Sequence, residues 1–113
     1  ASPESVIQNS LISEGCNIEG HIDFSVLFAG VTIEPGAVVR DSIIMPNTTI
    51  KKGAVVEYAI VGEDCVIGEN VKVGARPESI EDKDTWGVAG IGHGVTVSDN
   101  AEIKPKAMIS ADV

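Results

Sequence analysis

SIIMPNTTIKKGAVVEYAIVGEDCVIGENVKVG, residues 42–74, places aliphatic side chains at Ile44, Ile50, Val56, Val61, Ile67 and Val73. The steps between them are six, six, five, six and six residues. An amphipathic helix repeats its apolar positions every three to four residues and a half-buried strand every two. A six-residue step fits neither. It fits the hexapeptide repeat of a parallel β-helix, in which each hexad forms one short flat strand and a corner, and three faces close one triangular coil. Small residues recur four places after several of these aliphatics, at Thr48, Ala54, Cys65 and Val71.

Working outward, the five-residue step belongs to a larger unit that begins at Asn9, Phe24, Asp41 and Tyr58: NSLISEGCNI, FSVLFAGVTI, DSIIMPNTTI and YAIVGEDCVI. A coil is then one five-residue face and two six-residue faces. Three inward ladders follow. Ile12, Leu27, Ile44 and Val61 stack on a first face, Ile18, Ile33, Ile50 and Ile67 on a second, and Ile22, Val39, Val56 and Val73 on a third. Ile18 and Ile22 are only four residues apart, so Gly20 is expected to tighten that corner. Other turns carry residues suited to left-handed or tight backbone: Gly30, Pro35-Gly36, Pro46-Asn47, Lys52-Gly53, Gly62, Gly68 and Glu69-Asn70.

The pattern stops at Ala75. From there to Gly90, ARPESIEDKDTWGVAG is rich in charge and holds the one tryptophan, Trp86. The spacing predicts a loop extruded from the coil. Hexads resume at Ile91, Val97, Ile103 and Ile109, and the chain stops at Val113 with no helix over the last coil. A bare coil end is an open sheet edge, so the whole of 1–113 is expected to be one β-helix domain from a longer protein. Ala1 to Glu4 form a polar lead-in.

Composition bounds the partners. The 113 residues suffice for one domain with its own core, and aromatics make up only 4%. A net charge of −9 repels phosphate backbones and anionic lipids, which argues against nucleic acid and membrane as partners. No apolar run is long enough to span a bilayer and no signal peptide is evident, so a cytoplasmic location is expected. Cys16 and Cys65 fall three coils apart on one face, about 14 Å at roughly 4.8 Å per coil, beyond disulfide reach. They read as small buried corner thiols.

The residues spell out no catalytic site. Gly90-Ile91-Gly92-His93-Gly94 lacks the Lys-Ser/Thr ending of a phosphate-binding loop and no helix follows it. His21 and His93 stand alone, without partners at metal-ligand spacing; each is a turn histidine or a lone general base. Arg40, Lys51, Lys52 and Lys72 sit on neighbouring coils and make a small basic strip, suited to an anionic effector or to carboxylates of another domain. Trp86, beside Glu78, Glu81, Asp82 and Asp84, is either an interface anchor or a lid folded back on the coil.

NSLISEGC, SVLFAGV, DSIIMPN and AIVGEDCVIGENVKVG, in that order and spacing, followed by WGVAGIGHGVTV, resemble the carboxyl-terminal domain of bacterial glucose-1-phosphate adenylyltransferase. That resemblance runs from about Val6 onward. It implies a left-handed β-helix, a hand that the spacing itself leaves open, since most parallel crossovers are right-handed. It further implies a parent enzyme that makes ADP-glucose and pyrophosphate from ATP and glucose 1-phosphate, with Mg²⁺, for glycogen synthesis. The Gly-rich nucleotide loop and metal-binding aspartates of that family have no match here, so this chain alone is expected to be inactive and to hold no cofactor. ATP and glucose 1-phosphate would bind the absent amino-terminal domain. The β-helix would support a homo-oligomer, usually a tetramer, and border an effector site against its own catalytic domain, with Arg40, Lys51, Lys52, Lys72 and His93 as contacts and Trp86 at an interface. Where some members of that family carry an arginine before the fourth coil's hexad, this chain has Glu63 and Asp64. Two rivals share the repeat. A trimeric hexapeptide acyltransferase would use acyl-CoA with His21 or His93 as base. A carbonic-anhydrase-like β-helix would need three histidines where there are two.

Overall fold

The computed structural model describes residues 5–113, and the polar lead-in at 1–4 lies outside them. The chain winds as a left-handed parallel β-helix of about six coils with almost no helix. The first face stacks Leu11–Ile12, Val26–Leu27, Ile43–Ile44, Ala59–Val61, Ala89–Ile91 and Met108–Ile109. The second stacks Asn17–Ile18, Thr32–Ile33, Thr49–Ile50, Val66–Ile67 and Thr96–Val97. The third stacks Val6–Gln8, His21–Asp23, Val38–Arg40, Val55–Glu57, Lys72–Val73 and Glu102–Ile103.

The pairing reproduces the three inward ladders residue for residue. Ile12 lies opposite Leu27, then Ile44, Val61, Ile91 and Ile109. Ile50 lies between Ile33 and Ile67, and Val56 between Val39 and Val73. From Leu27 to Val73 these side chains are fully buried. At the three corners, small inward residues fill the space that the aliphatic columns leave. Ala37, Ala54 and Val71 line one corner and Val31, Thr48, Cys65 and Val95 another. The third corner holds Ser25, Ser42, Ala59 and Ala89.

The inward hydroxyls and thiols of this core are hydrogen-bonded within their own coil and to the next. Ser10 Oγ accepts from the Ser25 amide, Ser25 Oγ from Ser42 and Ser42 Oγ from Ala59, while each hydroxyl donates to the carbonyl two residues back. This serine ladder explains the Ser at the second position of the first three units; Ala59, whose amide ends the ladder, takes that place in the fourth. Thr48 Oγ1 donates to the Gly62 carbonyl, Cys16 Sγ to Phe28 and Cys65 Sγ to Gly92. Both cysteines are free thiols, as their spacing requires. Burial pushes the Cys65 thiol above its usual range, against the pull of its hydrogen bonds, which keeps it protonated and unreactive.

The corners differ in part from the sequence expectation. Gly30, Gly36, Asn47, Gly53 and Asn70 have left-handed backbone, as read. Gly62 and Gly68 do not. They are small because the fifth coil passes close by: a Cβ on Gly62 would stand 2.7 Å from the His93 nitrogen. At the five-residue corner, Asn9, Phe24, Asp41 and Tyr58 adopt φ of 47–50°, left-handed positions that Phe and Tyr conceal in the sequence. Gly20 does tighten the short corner, since a Cβ there would lie 2.4 Å from the Ala37 carbonyl.

The excursion after Val73 is built from two single turns of 3-10 helix, Pro77–Ser79 and Lys83–Thr85. Pairing resumes at Ala89 rather than after Gly90, because two small residues hid the start of that strand. At the far end, Val113 pairs with the Thr96–Val97 strand through Thr96 O and Ser98 N, and Asp112 accepts from the Thr96 amide.

Candidate functional site

At the edge of the third face the outward residues Gln8, Asp23, Arg40 and Glu57 lie opposite one another in successive strands. Glu57 is the centre of a charge cluster. Its carboxylate is nearly buried, at 8% side-chain exposure. Arg40 Nη1 donates to Oε2 at 3.0 Å, Arg76 Nε donates to the same oxygen at 3.1 Å, and Lys72 Nζ lies 3.5 Å from Oε1. Arg40 and Lys72 are strand residues held by register. Arg76 comes from the first residues of the excursion, so one carboxylate ties the loop to two coils.

Burial alone would raise the Glu57 pKa. The hydrogen bonds from Arg40 and Arg76, with the charge of Lys72, outweigh it and hold the carboxyl below its ordinary value near 4.5. A depressed folded pKa means stability that is present above the unfolded value and lost as pH falls through the folded one. Glu57→Gln is therefore expected to cost about 1–2 kcal/mol at pH 7, discounted for partly exposed partners. It should also flatten the fall in stability below pH 4.5, and urea melts at pH 7 and pH 3.5 would show both effects.

The sequence-read basic strip divides. Arg40 and Lys72 converge on Glu57, with Arg76 as a third cation that the strip omitted. Lys51 and Lys52 stand at the corner that opens the same face, where the Lys52 amide donates to Glu34 Oε1. His93 is exposed at a corner of the fifth coil, beside Gly62, and belongs to neither group. His21 is exposed on the third face, beside a shallow depression of about 160 Å³ that Gln8, Asp23 and Arg40 also line. Asp23 Oδ1 is buried there without a hydrogen-bond partner. Among the described residues no three His, Cys, Asp or Glu side chains gather into a metal site.

Trp86 is turned onto its own domain. Its Nε1 donates to the Ala75 carbonyl at 2.7 Å, and its ring meets Tyr58 edge-on at 5.5 Å. Lys83 Nζ donates to the Pro77 and Ile80 carbonyls, and Lys106 Nζ to Asp84, which closes the excursion on itself and on the last coil. Trp86→Ala is expected to destabilise this domain by about 1–3 kcal/mol through the lost hydrogen bond and ring contact. An unchanged melting temperature would free the tryptophan for an outside partner.

A family profile described as GlmU-like, C-terminal hexapeptide, matches residues 1–98. The chain belongs to that family. Over 72 residues, 64% of its length, this hexapeptide domain is 49% identical to glucose-1-phosphate adenylyltransferase of Bacillus anthracis and, equally, to that of Bacillus mycoides. The match is to the carboxyl-terminal region of those proteins and spans 19% of their length. Among solved structures, the acetyltransferase domain of PglB from Neisseria gonorrhoeae is similar, with a TM-score of 0.71 and 21% identity over 98% of this chain and 48% of that one. WeeI from Acinetobacter baumannii follows at 0.56 and 18%, over 99% and 52%. At such identities these likenesses show the shared fold alone. No helix among the described residues is long and apolar enough to cross a membrane.

Proposed function

We propose that this hexapeptide domain is the non-catalytic assembly and regulatory part of a glucose-1-phosphate adenylyltransferase, a cytoplasmic enzyme of glycogen synthesis. The observation that supports the reading is the 49% identity over 72 residues to enzymes of that name, against 21% and 18% for the two solved structures named above. Glucose 1-phosphate and ATP would bind in the part of the parent outside this chain, and Mg²⁺ would be held there too. The domain would join the subunits of a homo-oligomer, a tetramer by the resemblance. Arg40 and Lys72, with Arg76 beside them, are the contacts assigned to an anionic effector or a neighbouring domain. Lys51, Lys52, His93 and Trp86 are secondary candidates at other positions of the coil.

The test is the full-length protein. It is expected to form ADP-glucose and pyrophosphate from ATP and glucose 1-phosphate, while residues 1–113 by themselves form none. Failure of the full-length protein to do so overturns the reading. Acetyl-CoA binding by calorimetry, lost in His21→Ala or His93→Ala, would assign the domain to acyl transfer instead.

A further inference from the structure

Among the described residues, one buried side-chain polar atom is without a hydrogen-bond partner: Asp23 Oδ1. Register puts Asp23 between Gln8 and Arg40 in an outward column of the third face. His21 stands two residues away on the same strand, and so on the same side of the sheet. The neighbouring donors are committed elsewhere. The Ser10 and Ser25 hydroxyls donate to the Gln8 and Asp23 carbonyls, and Arg40 Nη1 donates to Glu57 on the following coil. A carboxylate oxygen only accepts, so Oδ1 calls for a donor from outside the chain. It lines the depression of about 160 Å³ on this face, with Val6, His21 and Val38 along one wall and Gln8, Asp23 and Arg40 along the other. That space is several times the roughly 30 Å³ that one water takes in the liquid.

We propose that this depression binds a neutral polyhydroxy ring, a single pyranose, with one ring hydroxyl donating to Asp23 Oδ1. The polar wall offers hydrogen bonds of both kinds. Asp23 accepts, Arg40 donates through N–H groups that Glu57 does not engage, and the Gln8 amide does either. A sugar hydroxyl is donor and acceptor at once. Adjacent hydroxyls of one ring can therefore answer adjacent side chains of a ladder whose rungs are about 4.8 Å apart. The opposite wall sets Val6 and Val38 on either side of His21, an apolar strip for the C–H face of the ring. Mostly apolar walls with a few placed polar groups are the usual make-up of a small-molecule site.

Charged ligands fit less well. An anion would meet the Asp23 carboxylate, and a cation would meet the Arg40 guanidinium one rung away. No third His, Cys, Asp or Glu among the described residues joins His21 and Asp23 as a metal ligand. The inference stands apart from the adenylyltransferase reading, and either can fail without the other.

The experiment titrates the 113-residue chain with methyl α-D-glucopyranoside, followed by heteronuclear NMR, so that sugar chemistry elsewhere in a parent protein does not contribute. A ligand of about 13 non-hydrogen atoms on so shallow a site is expected to bind with a Kd of about 1–10 mM. Saturable shifts should be confined to the amides of Val6–Gln8, His21–Asp23 and Val38–Arg40 and to the His21 imidazole. His93, exposed on the fifth coil, is the internal reference. Asp23→Asn should weaken binding at least about tenfold, through loss of the charged acceptor. Val38→Phe, which fills the depression and leaves Asp23 in place, should abolish binding, and it decides the matter if Asp23→Asn does not fold. No saturable shift up to about 100 mM, or shifts spread over the whole chain, would leave Asp23 to water and overturn the site. Equal binding of tetrahydropyran-2-methanol, a ring without vicinal hydroxyls, overturns the polyol. Saturation by methylammonium at lower concentration than by the glycoside makes the ligand a cation and overturns its assignment. Unchanged affinity in both variants overturns the location.

Discussion

Ile50→Asp is expected to leave the chain unfolded, while Lys51→Asp, one residue on, changes stability by no more than about 0.5 kcal/mol. Ile50 is fully buried between Ile33 and Ile67, with no polar group provided for it. Replacing it forfeits about 1.5–3 kcal/mol of apolar burial and adds a desolvated carboxylate whose effective penalty is several more. Domains of this size have roughly 5–15 kcal/mol in total, so the loss takes most or all of it. Lys51 uses its amide in the ladder, donating to the Ile67 carbonyl, and that bond survives any side chain. Its own side chain is only half-buried. Circular dichroism melts of the two variants decide the matter, and similar melting temperatures would show the register to be wrong.

The inward ladders were legible because they depend on one property, aliphatic against polar, repeated at a fixed step. Ile50 could be placed between Ile33 and Ile67 from counting alone. The corners were less legible, since left-handed backbone is usually signalled by Gly or Asn, and here Phe24 and Tyr58 occupy it as well. The reason lies in the stack: each is held by its amide bonding to the preceding coil, Phe24 to Gln8 and Tyr58 to Arg40, which offsets the local strain. The strand at Ala89 was hidden because neither Ala nor Gly carries an aliphatic signal.

The charge cluster shows a different limit. Arg40 and Lys72 could be associated because both lie in the periodic part, on coils whose spacing was known. Arg76 stands two residues beyond the repeat, where spacing no longer sets position, and Glu57 carried no mark of its own. The cations therefore read as a strip for an outside anion, when in the fold Arg40 and Lys72 converge with Arg76 on one buried carboxylate of the domain itself. A sign was available in hindsight: Arg40 and Glu57 are 17 residues apart, one full coil, so opposite charges had to be neighbours on the same face. The apolar outer column of the first face had the same visibility. Leu11, Val26, Ile43 and Ile60 each precede an inward aliphatic by one residue and so face outward.

Gly74→Ala should cost about 3 kcal/mol or more, the second largest single loss expected here, and Gly94→Ala provides its control. Both glycines have nearly the same left-handed backbone, with φ of +70° and +69°. A Cβ raises the energy of that conformation by about 1–2 kcal/mol wherever it occurs. At Gly94 nothing lies within 4 Å of the added carbon, so that cost stands alone. At Gly74 the carbon would lie 2.0 Å from the Glu57 carbonyl oxygen, a backbone atom that cannot swing aside. Relief requires moving either the Val55–Glu57 strand or the start of the excursion. The first shift would pull Glu57 away from Arg40 and Lys72, and the second would pull Arg76 from Glu57 and Ala75 from Trp86. The Gly74 amide bond to the Ile103 carbonyl, at 2.8 Å, would be strained in either case. Urea midpoints at equal m-value measure the two losses directly. Two alanine variants of equal stability would mean that the coil yields at the Glu57 carbonyl, and that the excursion is not fastened there.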